Sequence, residues 1–223
     1  MSKTPRIRWN KEPISAATHF FGFLLAVAGL VFLVGSSTGG AKVTGMAIYG
    51  GTLAMLFLAS TLFHFIDLGE RGNRWLQRFD HSAIYLLIAG TYVPPLLHML
   101  DGSWRIGMLT TVGVLALAGV VLKLAWIDCP GWLSTATYLA LGWIIVVPGP
   151  LILPQLPAWP LAWLITGGLA YTVGAFVYLF EWPDPWPEKM GHHEVWHVFV
   201  LAGAAAHFVF TAWLLDVTVP AFG

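Results

Sequence analysis

Stretches of about twenty mainly apolar residues recur from residue 19 to residue 215, and this recurrence constrains the fold more than any other feature. A helix needs roughly 20 such residues to cross the hydrocarbon of a bilayer. Backbone polar groups there must be satisfied within the segment itself. Seven candidate spans follow, at about 18–36, 41–65, 80–100, 106–126, 132–153, 159–180 and 194–215. Short polar or Pro/Gly-rich breaks separate them: Gly39-Gly40, the charged stretch from Asp67 to Arg78, Asp101-Gly102, Asp128 to Gly131, Pro154 to Pro160, and Glu181 to Gly191. Pro148 and Pro150 break the end of the fifth span, and Pro94 and Pro95 are expected to kink or shorten the third.

Composition agrees. Of 223 residues, 57% are hydrophobic and only 10% charged, where soluble domains carry about a quarter. Too few charges remain to coat a water-facing domain. Eleven basic residues balance eleven acidic ones, so nothing marks the chain for nucleic acid. The single cysteine, Cys129, excludes an intrachain disulfide. The basic N-terminus before an apolar run looks like a signal peptide. The run from His19 to about Val34 continues into Gly-rich sequence without a convincing A-x-A cleavage site, however, and is read as a retained first span. The expected architecture is an all-α seven-transmembrane-helix bundle. Residues 1–17 form a cytoplasmic N-terminal segment and residues 18–223 one transmembrane domain, multi-pass in the inner (plasma) membrane among membrane lipids.

Basic residues orient the bundle. Lys3, Arg6, Arg8, Lys11, Arg71, Arg74, Arg78, Lys123 and Lys189 fall on one side, Lys42 and Arg105 on the other. The positive-inside rule then puts the N-terminus in the cytoplasm and the C-terminus outside. Tryptophans 9, 75, 104, 132, 159, 182 and 196 fall near span ends, where an interfacial aromatic belt belongs.

Ionisable residues in or at the ends of spans are functional suspects. Three groups stand out: Ser60-Thr-Leu-Phe-His64, Asp80-His81, and His193-Glu194-Val-Trp-His197, with His207 farther along. The expected topology brings all three groups to one membrane face. His193 and His197, at i and i+4, share a helix face with Cβ atoms about 6 Å apart, so both imidazoles reach one metal ion, and His64 completes a three-histidine set. Three His with an open fourth position is a catalytic zinc arrangement. Ser60 stands one turn before His64, and Asp80 supplies a carboxylate as general base or as a partner to a ligand.

Each residue also has a plainer reading. His-x-x-x-His occurs at helix ends without metal, and His98 and His192 look structural or interfacial. A membrane serine bonds back to its own helix. Asp80 and Glu194 suit helix N-termini, where the dipole favours acids. Arg71, Arg74 and Arg78 serve as topology signals or headgroup contacts.

The ordered set of motifs resembles the hemolysin III family, the bacterial branch of the progestin and adipoQ receptor group. It comprises Glu12-Pro-Ile-Ser-Ala-Ala-Thr18-His19, Ser60-Thr-Leu-Phe-His64, Asp80-His81-Ser-Ala-Ile-Tyr through Gly90-Thr91-Tyr92-Val-Pro94, His193-Glu-Val-Trp-His197 and Ala206-His207-Phe208. Family members often show paired acids and an Asn at the N-terminus, where Lys11-Glu12-Pro13 stands here. The resemblance implies a zinc ion (Zn2+) held near the cytoplasmic side by His64, His193 and His197. It implies that Asp80 contacts the metal's water and that Ser60 belongs to the site. Alkaline ceramidases in the wider superfamily suggest hydrolysis of a lipid amide. Three functions are therefore weighed: a zinc-dependent lipid hydrolase, a non-catalytic regulator of membrane lipids with structural zinc, and a pore or cytolysin. Strongly apolar spans disfavour the last, because a conducting pore needs polar or charged rings.

Overall fold

The computed structural model describes residues 8–9, 11–186 and 190–220. Lys3, Arg6 and Lys189, used above for orientation, lie outside the described residues, and only the backbone of Arg8 and Trp9 is described.

Among the described residues the fold is all-α apart from one ribbon of two short strands and an isolated bridge between Trp186 and Met190. The long helices are α1 (Pro13–Gly35), α2 (Gly40–Phe65), α3 (Gly69–Met99) and α4 (Gly102–Ala125). They are followed by α5 (Gly131–Gly142), the single turn α6 (Gly149–Ile152), α7 (Ala158–Phe180) and α8 (His192–Trp213). Six of the described helices are long and apolar enough to cross a membrane, and the count reaches seven if the bent pair Gly131–Val146 and Gly149–Gln155 is one span. The pair bends by 41° at Val147-Pro148. Pro148 has no N–H, and its ring crowds the preceding turn, so a continuous helix cannot pass.

The third helix differs from expectation at both ends. It begins at Gly69, eleven residues before Asp80, so most of the charged stretch is helical rather than loop. The polar turns extend the helix beyond the apolar segment, and Arg74 pairs there with Asp128. Asp80 is therefore no N-terminal helix charge. Pro94 and Pro95 lie inside the helix without shortening it, which runs on to Met99.

Helices α1 and α2, α2 and α3, α3 and α4, and α7 and α8 pack as neighbours, and α8 returns against α1 and α3. Glycines on one helix receive aromatic rings from the next. Tyr85 of α3 lies over Gly119 of α4, and Tyr171 of α7 over Gly203 of α8. Small residues of this kind let membrane helices approach closely where water exclusion drives nothing.

Two residues counted as loop charges are buried. Arg105 and Lys123 are each 1% exposed. Lys123 Nζ donates to Ser134 Oγ at 2.5 Å and lies 3.3 Å from Cys129 Sγ, which draws it off the surface. Of the tryptophans expected in an aromatic belt, Trp75, Trp104, Trp132, Trp159 and Trp182 are exposed. Trp196 is different: it packs against His193 and His197 inside the bundle. Three residues after His193, it shares that residue's face of α8.

Candidate metal centre and cavity

The segment before α1 is zipped along the end of α2. Residues Arg8–Trp9 (β1) pair antiparallel with Ile66–Asp67 (β2), Glu12 N–H donates to the His64 carbonyl at 2.9 Å, and Lys11 Nζ lies 4.1 Å over the Phe63 ring. This register sets the Glu12 carboxylate against His64, whose Nδ1–H donates to Oε2 at 2.5 Å. That hydrogen bond holds the Glu12 carboxyl below its usual range, against the opposing effect of partial burial. It also fixes the imidazole so that Nε2 presents its lone pair inward.

His193 and His197 come from the first two turns of α8. One ring nitrogen from each of His64, His193 and His197 lies within 4.8 Å of the others. His193 Nε2 is 3.4 Å from His64 Nε2. Bonds of about 2.0–2.1 Å to one ion put two nitrogens roughly 3.3 Å apart, so the His64–His193 pair is spaced for a shared metal ion. His197 is fully buried, and among the described residues the Ser15 backbone is the one polar group that engages its ring. That leaves a buried ring nitrogen without a partner, which is costly, and a shared cation removes that cost. Among the described residues the group holds three such ligands, with no fourth His, Cys, Asp or Glu.

Beside this cluster sits a second polar set. His19 stacks on His197 with ring centroids 3.6 Å apart, and its Nδ1 lies 2.7 Å from Ser60 Oγ. Ser60 thus engages His19, whereas Thr52, Thr61 and Thr91 bond back to their own helices. Asp80 is buried, next to Ser60 and within electrostatic reach of His64. His19, Ser60 and Asp80 together form one end of a cavity of about 610 Å³, whose walls are otherwise mainly apolar. None of the three clustered histidines lines it.

The remaining candidates have other tasks. Glu194 accepts from Gly191 N–H at 2.9 Å and from Ser15 Oγ at 2.8 Å, the helix-start role expected of it. His98 Nδ1 is engaged by the Pro94 carbonyl at 2.7 Å, and His192 N–H donates to Asp184. His81 joins neither the cluster nor the cavity lining. Sequence reasoning left His19 and Glu12 without a contact. A lone histidine in an apolar helix, and an acid before a proline, carry no spacing signal; their partners lie 41 and 52 residues away.

The family model described as haemolysin-III related matches residues 7–208. The chain belongs to the hemolysin III family. It is similar to the Hemolysin-3 homolog of Bacillus subtilis, 37% identical over 202 residues that cover 89% of this chain and 92% of the relative. Hemolysin-3 of Bacillus cereus is 35% identical and covered to 89% on both sides. A heptahelical transmembrane protein of rice (Oryza sativa subsp. japonica), named ADIPOR2, is 28% identical across 77% of this chain and 81% of its own length. This places the hemolysin III chain within the wider progestin and adipoQ receptor group, as a multi-pass membrane protein.

Proposed function

We propose that this hemolysin III protein is a zinc-dependent intramembrane hydrolase acting on the amide or ester bond of a lipid. The observation that carries the reading is one juxtaposition. Three histidines close enough to share a metal ion sit directly behind the polar end of an apolar cavity large enough for a lipid chain. His64, His193 and His197 would hold the metal. When bound there, zinc polarises a carbonyl and brings the pKa of water towards neutrality.

The chain's own residues supply the rest. The apolar walls hold the hydrocarbon chain and exclude water. The Ser60 hydroxyl, held by His19, donates towards the oxygen on which charge develops. The Asp80 carboxylate, at the same end of the cavity, accepts the proton released by the attacking water. Glu12 orients His64. The excess of basic residues in the sequence supports a cytoplasmic position for this layer and the N-terminus.

One observation favours a second reading, a non-catalytic regulator of membrane lipids with structural zinc. The His19 ring covers His197, and no clustered histidine opens onto the cavity. The mainly apolar lining weighs against a pore. Purified protein with candidate lipid amides and esters separates the two readings. Hydrolysis by wild type that His197→Ala abolishes is the expected result; equal rates would sink the enzyme.

A further inference from the structure

His207 lies ten residues beyond His197 on α8, about 15 Å farther along the helix axis at 1.5 Å per residue. Its ring lines the same cavity, as does Tyr171, whose ring centroid is 5.5 Å away. Gly167 makes room for it: a Cβ there would stand 2.2 Å from the His207 ring. His207 Nε2 is 3.3 Å from the Leu164 carbonyl. A carbonyl only accepts, so Nε2 carries the hydrogen and Nδ1 keeps its lone pair. Nδ1 is buried and has no hydrogen-bond partner.

An imidazole acceptor without a donor, against a wall of hydrocarbon side chains, is a cost the fold has reason to avoid unless a ligand offsets it. The complementary group is a neutral donor. A charged group is excluded by the apolar surroundings, and a hydroxyl is the donor that a hydrocarbon chain can carry at little cost. We propose that His207, flanked by Tyr171, forms a second polar subsite of the cavity, which recognises a hydroxyl on the hydrocarbon chain of the bound lipid. The span from His197 puts that hydroxyl far from the polar headgroup, towards the middle or end of the chain. The inference rests on the reading of the cavity as a lipid site, and narrows its ligands to chain-hydroxylated lipids.

Oleoyl ethanolamide and ricinoleoyl ethanolamide differ only by such a hydroxyl, placed well along the chain. Their affinities for the detergent-purified full-length protein, measured by titration calorimetry, test the subsite without any reaction. Wild type is expected to bind the ricinoleoyl amide about threefold to tenfold tighter, the worth of one net hydrogen bond. His207→Phe and His207→Leu should bring the ratio to one, and His207→Gln, which keeps an acceptor, should retain part of it. Chelator-stripped protein should show the wild-type ratio, since the subsite is remote from the metal layer. A ratio of one in wild type, or a full ratio in His207→Phe and His207→Leu, overturns the subsite alone. If neither lipid binds, the lipid reading of the cavity falls together with the subsite.

Discussion

Glu12 Oε2 accepts a 2.5 Å hydrogen bond from His64 Nδ1, joining the segment before the first helix to the end of the second. A carboxylate behind a metal-binding imidazole sets its tautomer and raises its basicity, and removing such a partner typically costs about 10–100-fold in metal affinity. Glu12→Ala is therefore expected to weaken zinc binding by about that factor, read by competition with a chromogenic chelator. Unchanged affinity would mean that the contact is only a tether for the N-terminal segment.

Metal content tests the centre directly. Purified wild type should carry zinc in a one-to-one ratio with the chain, and both His64→Ala and His193→Ala should lose it. Losing one ligand of three leaves two imidazoles, too few for a structural or catalytic zinc site. Equal metal in all three proteins would remove the centre of the proposal.

Asp80 is expected to separate binding from turnover. Asp80→Asn keeps the size of the side chain and removes its capacity to accept a proton. Zinc content should stay at the wild-type level while lipid hydrolysis falls about 10²–10⁴-fold. Loss of metal along with activity would instead assign Asp80 to holding the ion.

Helix packing makes a prediction independent of the chemistry. A Cβ at Gly119 would stand 2.2 Å from the Tyr85 ring, which is 1% exposed and anchored through its hydroxyl to Thr137 at 2.7 Å. The ring cannot swing away cheaply. Gly119→Ala should destabilise the bundle by about 1–3 kcal/mol, seen as a lower midpoint in thermal unfolding of the detergent-solubilised protein. Gly113→Ala, where nothing lies within 4 Å of the added carbon, is the matched control and should be close to neutral.

Pattern strength explains which elements were legible. Six spans stood out because twenty apolar residues leave the backbone few alternatives to helix. The stretch from Asp67 to Arg78 misled because charge was read as loop, although a helix continues into polar surroundings once its side chains find partners, as Arg74 does with Asp128. Arg105 and Lys123 misled for a related reason. A sequence count records a charge, but burial by a hydroxyl, a thiol or a carbonyl becomes visible only when the neighbouring helices are in place.

Sequence alone determined the apolar spans, and with them the membrane-spanning helices. It also determined the spacing that puts His193 and His197 on one face of α8, because helical periodicity is a local property of the chain. Tertiary structure alone decided that the fifth segment bends by 41° at Val147-Pro148, and that His64 reaches the same point as the α8 pair. It also decided that Glu12 stands behind His64, and that His19 covers His197 and holds Ser60. Those contacts join residues 41 to 178 positions apart. No local pattern encodes them; they follow from the order in which the helices pack.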